Sequence, residues 1–397
     1  MTREASGYSL RYADGAGTEL PREQWIPTRD DTIFDMASVS KLFTSILVVQ
    51  QVERGAIRLE EPVASYLPAF AAQGKGAITV RQLLTHTSGP KSWMPLYSAW
   101  PDKASRIQAV MDVAPTSPPG TTHLYSDLNL ITLGALLERQ TGQELDQLVR
   151  ERITTPLAMK DTGYNPDPSL KPRIAATEFQ ATPPRGMVWG EVHDENAWSL
   201  GGVAGHAGIF STAHDMAVLA QTMLNGGTYA GHRILSADSV RKMTTNYNTA
   251  FPGDSHGLGF ELDQRFYMGG LSSPSTAGHT GYTGTSIVID TMSRSFAIVL
   301  STASTPAAAG AATPRPAGRS SGTGARPGGE AAAGRHRVVR RLEGRHDGDA
   351  DDPAAPGPGQ GLGGLRRVRG HRVLRPAHPG VLDRRRDDVE GRAVHRP

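Results

Sequence analysis

Residues 32–55 read TIFDMASVSKLFTSILVVQQVERG, a short apolar approach followed by a long apolar segment. From Ser38 onward the apolar side chains recur at helical spacing, which predicts a mostly buried helix that stops near Gly55. Ser38 and Lys41 then lie one turn apart on the same helix face, beside the unpaired N–H groups of the helix start. A buried lysine with a lowered pKa could activate such a serine, and the alternative is a helix-capping serine with a solvated lysine.

A second segment, residues 120–142, reads GTTHLYSDLNLITLGALLERQTG. Its leucines follow helical spacing, so we expect a helix that is capped by Ser126 or Asp127 and ends at the final glycine. Tyr125 precedes the cap and is either a core tyrosine or a functional group. In the functional interpretation, its phenol or the Ser126 hydroxyl lies beside Lys41 and passes a proton to the leaving group.

A third segment, residues 278–301, reads GHTGYTGTSIVIDTMSRSFAIVLS. It predicts the end of one strand, a glycine-rich turn, and two further strands, SIVID and SFAIVLS. A glycine beside a strand allows another backbone or a ligand to approach closely, although a simple turn is the alternative. Each motif is weak alone. Together, Ser38-Val39-Ser40-Lys41, Tyr125-Ser126-Asp127 and His279-Thr280-Gly281 favour a serine hydrolase with Ser38 as the nucleophile.

The three motifs and the text around them resemble the β-lactamase and penicillin-binding-protein superfamily, in its class C-like branch of serine esterases and cell-wall peptidase or amidase relatives. The similarity extends over roughly residues 7–302 and includes the stretches 55–70, 78–89, 156–166 and 192–212. It implies an α+β fold of two lobes with the cleft between them. An antiparallel sheet lobe flanked by helices takes residues 1–58 and 249–301, and an inserted all-helical lobe takes residues 59–248.

The resemblance also implies a role for each motif residue. Ser38 is the acylated nucleophile, Lys41 its general base or proton relay, and Tyr125 the partner acid or base. The backbone N–H groups of Ser38 and Tyr282 form the oxyanion hole, which can contribute about 3–4 kcal/mol. The supporting residues are Ser126, Asp127, His279, Thr280 and Gly281, with Thr280 and Gly281 on the strand edge along which substrate lies. Water then hydrolyses the acyl-enzyme, and no metal or organic cofactor is required.

Two positions depart from the family pattern. Asp127 ends a triplet that is often Tyr-x-Asn, and a carboxylate near Lys41 favours the protonated lysine, which shifts the role of base toward Tyr125. His279 replaces a lysine and so removes a permanent cation near neutral pH. Because such a cation helps to bind the carboxylate of β-lactams and D-Ala-D-Ala peptides, we rank a neutral ester or amide substrate above penicillins.

Two further motifs are candidates for binding. His193, Asp194 and Glu195 are consecutive, and metal ligands normally come from spaced positions, so we prefer a structured loop near the cleft to a metal site. The segment GGVAGHAG lacks the spacing and the lysine of a phosphate loop. We interpret it as a turn between subdomains, with His206 in a structural role.

Composition limits the alternatives. The 397 residues contain no cysteine, which excludes disulfides, zinc–thiolate sites and thiol catalysis, and no run of apolar residues is long enough for a transmembrane helix. The polar N-terminus has no signal-peptide core, so the chain as written is predicted to be cytoplasmic. It begins with only the second half of the strand pair found in relatives. A start codon assigned too late would explain this and would hide a signal peptide, which leaves a secreted, periplasmic or cell-surface location open.

Residues 302–397 differ sharply in composition from the rest. They contain no Phe, Tyr, Trp, Ile, Met, Lys or Asn, and their eighteen Arg and ten acidic residues give a net charge of +8 inside a chain of net charge +3. Either they form a disordered basic extension able to bind nucleic acid or an anionic surface, or they result from a frameshift in GC-rich coding DNA. We favour the frameshift and expect no nucleic-acid partner. Relatives continue after SFAIVLS into a loop and a final helix that covers the sheet. If the frameshift removes that helix, the edge and one face of the strand SFAIVLS are exposed.

Three functions remain open. The first is a serine esterase or amidase that acts on a small or cell-wall-derived substrate through an acyl-enzyme. The second is a β-lactamase, D,D-peptidase or cell-wall amidase. His279, in place of the usual lysine, argues against a β-lactamase or D,D-peptidase in the strict sense. The third is an inactive pseudo-enzyme or binding protein, which the intact motifs oppose.

Overall fold

The helix predicted after Ser38 lies at the centre of the structure. In the computed structural model, which describes residues 2–302, a 3-10 turn (Ala37–Val39) leads into α1 (Ser40–Glu53). All residues of α1 from Ser40 to Gln51 are buried, and each fully buried Leu, Ile or Val side chain contributes about 1.5–3 kcal/mol. Gly55 follows with a φ of +71°, so the predicted stop is confirmed.

The other helices are short except for two. They are α2 (Val80–Leu84), α3 (Leu96–Ala99), α4 (Lys103–Asp112), α5 (Asp127–Thr141), α6 (Leu145–Val149), α7 (Glu195–Ser199), α8 (Ala213–Leu224), α9 (Ala237–Met243) and α10 (Arg265–Met268). The prediction for the second segment is confirmed, because Ser126 is the N-cap of α5 and Gly142 ends the helix in the left-handed conformation. Helix α5 packs on α1, α2, α4 and α6 in one apolar core.

The strands are short apart from three near the end of the described chain. They are β1 (Tyr8–Leu10), β2 (Ile26–Pro27), β3 (Phe34–Asp35), β4 (Gly163–Tyr164), β5 (Phe179–Gln180), β6 (Gly186–Met187), β7 (Ile209–Ser211), β8 (Thr228–Tyr229), β9 (His232–Arg233), β10 (Glu261–Leu262), β11 (Thr276–Thr280), β12 (Ser286–Asp290) and β13 (Ser295–Val299). Strand β12 coincides with the predicted SIVID, and β13 covers the first five residues of the predicted SFAIVLS and ends at Val299.

The main sheet is antiparallel, in the order β10-β11-β12-β13, and pairs His279 with Ile287 and Ile287 with Ile298. Helix α8 packs against β12 and β13 and covers one face. A three-stranded sheet, β3-β7-β4, joins the strand before Ser38 to the segment after His206. This mixture of antiparallel sheets and helices confirms the predicted α+β class.

Several expectations from sequence are not tested by this part of the chain. Residues 303–397, which hold nearly all of the tail, lie outside the described residues, and the division into two lobes stays a prediction. Within residues 2–302, β13 is the outermost strand of its sheet, with Phe296 buried and Val299 40% exposed. No helix in the described part combines the length and the apolar character needed to cross a membrane.

Candidate active site

Ser38 lies in a backbone turn that is fixed by hydrogen bonds to the side chain of Asp35. Ala37, just before it, has a φ of +46°, which is uncommon for a residue with a side chain. The N–H of Ala37 donates to the buried carboxylate of Asp35 over 2.8 Å, and the N–H of His193 donates to the other oxygen over 2.6 Å. Burial raises the pKa of Asp35, and these two hydrogen bonds oppose that rise. The turn is therefore fixed by contacts from outside it, which orients Ser38.

Lys41 lies directly beside the serine and is almost fully buried. Its Nζ donates to Ser38 Oγ over 2.9 Å and to the His206 carbonyl over 3.0 Å, and it lies 2.8 Å from Asp127 Oδ1. Burial disfavours the charged amine, but the charges of Asp127 and Tyr125 outweigh it and raise the pKa of Lys41 above its ordinary value. Lys41 is thus an ammonium at neutral pH, as the carboxylate at position 127 predicts.

Tyr125 completes the arrangement around Lys41. The ammonium lies 4.9 Å from the centre of the Tyr125 ring, and the phenol interacts with both Lys41 and Ser38. Burial raises the pKa of Tyr125 to about 12, with Lys41 lowering it and Asp127 raising it. The phenol is therefore protonated at neutral pH and is placed to exchange a proton with either partner.

The structure separates the two candidates of the second motif. The Ser126 hydroxyl donates to the Lys91 carbonyl over 2.8 Å, and the N–H of Ser126 donates to His86 Nδ1 over 3.1 Å. The N–H of Asp127 donates to the Ser92 carbonyl over 2.9 Å. Of the two hydroxyl groups considered for the proton relay, only that of Tyr125 faces Lys41, while Ser126 anchors the start of α5.

The third motif lies against the Ser38 turn. The Thr283 hydroxyl donates to the Asp35 carbonyl over 2.7 Å, and the Thr285 hydroxyl donates to the Met36 carbonyl over 3.0 Å. A Cβ on Gly281 would lie 2.2 Å from Thr285 Oγ1 and 2.6 Å from the Met36 oxygen. It would also lie 3.3 Å from the Cβ of Ala37, so only glycine permits this approach, which brings the residues that follow Gly281 and Ala37, Tyr282 and Ser38, near each other.

His279 occupies the position where the family usually has lysine, and it carries no charge. Its Nδ1–H donates to the Thr280 carbonyl over 2.7 Å, and its ring centre is 6.0 Å from that of Tyr125. Burial, with the nearby charge of Lys41, lowers the pKa of His279 to about 3. The site therefore has Lys41, already paired with Asp127, as its cation and no second cation at the third motif.

Sequence reasoning missed Asp194 as a site residue and assigned His206 to structure alone. His206 Nε2 lies 2.8 Å from Asp194 Oδ1, and the His206 carbonyl accepts from Lys41. Burial acts to raise the pKa of Asp194, but His206 outweighs it and the pKa is held well below its ordinary range. The segment around Gly205 packs against α1 and α5, so the glycine-rich turn brings this pair close to Lys41 and Ser38.

The metal alternative for His193, Asp194 and Glu195 does not fit the geometry. His193 Nε2 is bonded to Glu178 over 2.7 Å, while Asp194 is bonded to His206, so the neighbouring side chains do not converge on one point. Among residues 2–302, one group of potential ligands, Asp127, Asp194 and His206, has its ligand atoms within 4.8 Å of one another. The Lys41 ammonium, in contact with Asp127, already supplies positive charge there.

A row of three further histidines begins at the ring of Tyr125, and it was not identified from the sequence. The His86 ring is 4.6 Å from the ring of Tyr125 and 5.1 Å from that of His256, which is 5.9 Å from His123. Burial lowers the pKa of His256 to about 3 and lowers that of His86 strongly. His123 lies two residues before Tyr125 in the second motif segment, whereas His86 and His256 come from distant parts of the chain, so no sequence spacing would have grouped those two with it.

A half-buried serine bonded to a buried lysine, a tyrosine beside them and a glycine-bearing strand edge on an α+β fold define a serine hydrolase of the penicillin-binding-protein and β-lactamase class. The beta-lactamase family model matches residues 8–318 of this chain. A protein of Escherichia coli (strain K12) with the provisional name D-alanyl-D-alanine carboxypeptidase is 35% identical over 332 residues, which cover 75% of this chain and 74% of the relative. The chain therefore belongs to the beta-lactamase family.

Solved structures share the same fold. A penicillin-binding-protein homologue from Caulobacter crescentus has a TM-score of 0.58 at 22% identity, covering 71% of this chain and 81% of its own. A family VIII carboxylesterase has a TM-score of 0.55 at 24% identity, covering 68% of this chain and 77% of its own. The family and the fold confirm the prediction of a serine hydrolase.

Proposed function

We propose that the protein hydrolyses an ester or amide through an acyl-enzyme on Ser38, and that its preferred substrates carry no carboxylate near the scissile bond. The observation that carries the first part is the contact of 2.9 Å between Lys41 Nζ and Ser38 Oγ, with Asp127 and Tyr125 on the same ammonium. A serine hydroxyl needs such a partner before it attacks a carbonyl at a useful rate.

The reaction begins from a site in which both Lys41 and Tyr125 hold their protons. Loss of one proton from this coupled pair creates the base, which takes the Ser38 proton as Oγ attacks the carbonyl carbon. The same proton is returned to the leaving alcohol or amine when the tetrahedral intermediate collapses to the acyl-enzyme. Water then repeats the sequence, releases the acid and restores Ser38.

The oxyanion formed in each step needs hydrogen-bond donors. Gly281 places its backbone against Met36 and Ala37, so the N–H groups of Ser38 and Tyr282 are the candidate donors. The N–H of Gly281 donates to the Thr285 carbonyl over 2.7 Å, which fixes this turn of the chain. Donors that are rigid before the reaction stabilise the developing charge without reorganisation.

The charges of the site support the substrate preference. His279 is neutral, and Asp127 and Asp194 lie within 4.8 Å of each other next to the lysine. A substrate carboxylate would meet carboxylates and an uncharged imidazole, whereas a neutral ester or amide would not. A cell-wall peptide remains the second candidate, because the Escherichia coli relative is named as a D-alanyl-D-alanine carboxypeptidase. Where in the cell the reaction takes place stays a prediction.

Labelling with a fluorophosphonate, followed by measurement of the intact mass, tests the proposed nucleophile. We expect one adduct on the wild-type protein and none on the Ser38→Ala variant, while the exposed-site variant Ser98→Ala serves as the matched control and labels normally. A wild-type protein that melts cooperatively and takes no adduct would contradict the proposal and support the pseudo-enzyme. A panel of short-chain esters, penicillins and D-Ala-D-Ala peptides then tests the substrate preference.

A further inference from the structure

The oxyanion corner is connected to a residue outside the three motifs. The ring of His193 is stacked on the ring of Tyr282, with their centres 5.1 Å apart and their planes 25° apart. Tyr282 is 52% exposed, whereas His193 is only 5% exposed. The buried imidazole therefore gives the exposed tyrosine ring a fixed surface to pack on. Stacking of two rings at this distance contributes about 0.5–1.5 kcal/mol beyond the area it buries.

The backbone of His193 reaches the opposite side of the same corner. Its N–H donates to Asp35, whose second oxygen accepts from Ala37, the residue before the nucleophile. One residue therefore contacts the Tyr282 turn through its ring and the Ser38 turn through its N–H. These are the two segments that carry the candidate oxyanion donors.

His193 is itself held firmly in place. Its carbonyl accepts from Gln180 Nε2 over 2.9 Å and from Arg185 over 3.1 Å, and its Nε2 is bonded to Glu178 over 2.7 Å. All three partners belong to the β5–β6 hairpin or the segment next to it. The backbone contacts do not depend on the imidazole, so a change of side chain leaves the segment anchored.

We infer that His193 is a positioning residue for the oxyanion hole, which sets the Tyr282 turn against the Ser38 turn by ring stacking. The inference rests on the proposed function. The β5–β6 hairpin then supports the active site through its hydrogen bonds to His193. The adjacent Glu178 orients the imidazole of His193 so that the face of the imidazole packs on Tyr282. A displacement of about 1 Å in a catalytic group can reduce a rate about 100-fold, so a loose turn would be costly.

Substitutions that separate the ring from the hydrogen bond test this role. We expect His193→Ala to lower kcat and the rate of phosphonate labelling about 10–100-fold with little change in KM, because the ring is lost and the turn loosens. His193→Phe keeps a flat ring and should restore most of the rate. The Glu178 side chain is 38% exposed, so water can replace its lost partner. The exposed His232→Ala variant is the matched control and should behave as wild type.

A double-mutant cycle locates the effect. If His193 acts through the Tyr282 ring, the double variant His193→Ala/Tyr282→Ala should be no slower than the slower single variant. Independent, multiplying losses would overturn the inference. So would an unchanged rate in His193→Ala, or a rate in His193→Phe as low as in His193→Ala.

Hydrogen exchange gives a measurement that does not require turnover. We expect faster exchange at the backbone amides of residues 281–284 in His193→Ala than in the wild-type protein or His193→Phe, at equal melting temperature. Equal exchange in all three would contradict the positioning role. If the wild-type protein hydrolyses nothing while exchange responds as expected, the proposed function fails, and what remains of the inference is that the His193 ring holds the Tyr282 turn in place.

Discussion

The ammonium of Lys41 lies 2.8 Å from the carboxylate of Asp127 and beside Ser38, the proposed nucleophile. This ion pair keeps the proton on Lys41 at neutral pH, so the lysine beside Ser38 is at rest a donor and not a base. The Lys41–Asp127 ion pair is fixed and electrically neutral, so a base forms only when Lys41 or Tyr125 loses a proton. The pH dependence of the reaction should show this directly.

We therefore expect the rate of phosphonate labelling and kcat/KM for a neutral ester to rise with pH from 6 upward, since loss of a proton from the Lys41–Tyr125 pair creates the base. Asp127→Asn removes the charge that raises the lysine pKa, so it should retain activity and move this acid limb lower by roughly one to three pH units. Measurement of kcat/KM against pH for both proteins checks this. An unchanged profile in the variant would show that Asp127 does not control the base.

Removal of the Tyr125 hydroxyl tests the proton relay. Tyr125→Phe keeps the ring that packs on His86 and should preserve the melting temperature, while kcat should fall about 10²–10⁴-fold. The matched control is Tyr66→Phe, which removes a hydroxyl that accepts from the N–H of Arg58 and lies on the surface. A variant at position 125 with wild-type kcat would place the relay on Lys41 alone.

The local elements of the fold follow from the sequence because each carries its own pattern. The apolar spacing after Ser38 and the glycine at residue 55 predict α1 and its end, and SIVID predicts β12 to the residue. Ser38 and Lys41 are also placed together by helical spacing alone. These predictions need only neighbouring residues.

The remaining parts of the site depend on loops, and loops are placed by tertiary contacts. His206 lies 165 residues from Lys41, yet its carbonyl accepts from Lys41 Nζ. The bond between Asp194 and His206 joins the cap of α7 to a glycine-rich turn whose path is set by packing against α5. The spacing of residues in a single sequence does not predict contacts of this kind between distant loops. His86 and His256, which are distant from Tyr125 in the sequence, were missed for the same reason.

Gly281 should tolerate no side chain. In Gly281→Ala the added Cβ would meet Thr285 Oγ1 and the Met36 carbonyl, so the turn must move away from Ser38. We expect a loss of about 1–3 kcal/mol in the free energy of unfolding and at least a 100-fold loss of labelling rate. Gly270→Ala is the control, since its Cβ meets nothing within 4 Å. Urea unfolding and phosphonate labelling measure both effects, and normal labelling of Gly281→Ala would refute the close contact.

Asp194 should contribute stability that depends on pH. Its pKa is lower in the folded protein than in the unfolded chain, so the carboxylate stabilises the fold above pH about 4 and loses this effect as the pH falls. Asp194→Asn should therefore lower the free energy of unfolding by roughly 1–3 kcal/mol at pH 7 and by less near pH 3, where the unfolded chain has begun to bind the proton but the folded protein has not. Urea unfolding at both pH values checks the trend, with the exposed Asp30→Asn as control. A gap that widens toward low pH would contradict it.

The neutral His279 should set the preference between substrates. Wild-type protein should be acylated faster by short-chain esters than by penicillins, because no free cation meets the penicillin carboxylate. His279→Lys would add that cation, and we expect it to raise the ratio of penicillin to ester acylation at least tenfold, even if the buried ammonium lowers the absolute rates. His279→Gln, which stays neutral, is the matched control and should leave the ratio unchanged. Penicillins that acylate the wild-type protein faster than esters would show that the carboxylate is bound by another group, and the D,D-peptidase alternative would then be preferred.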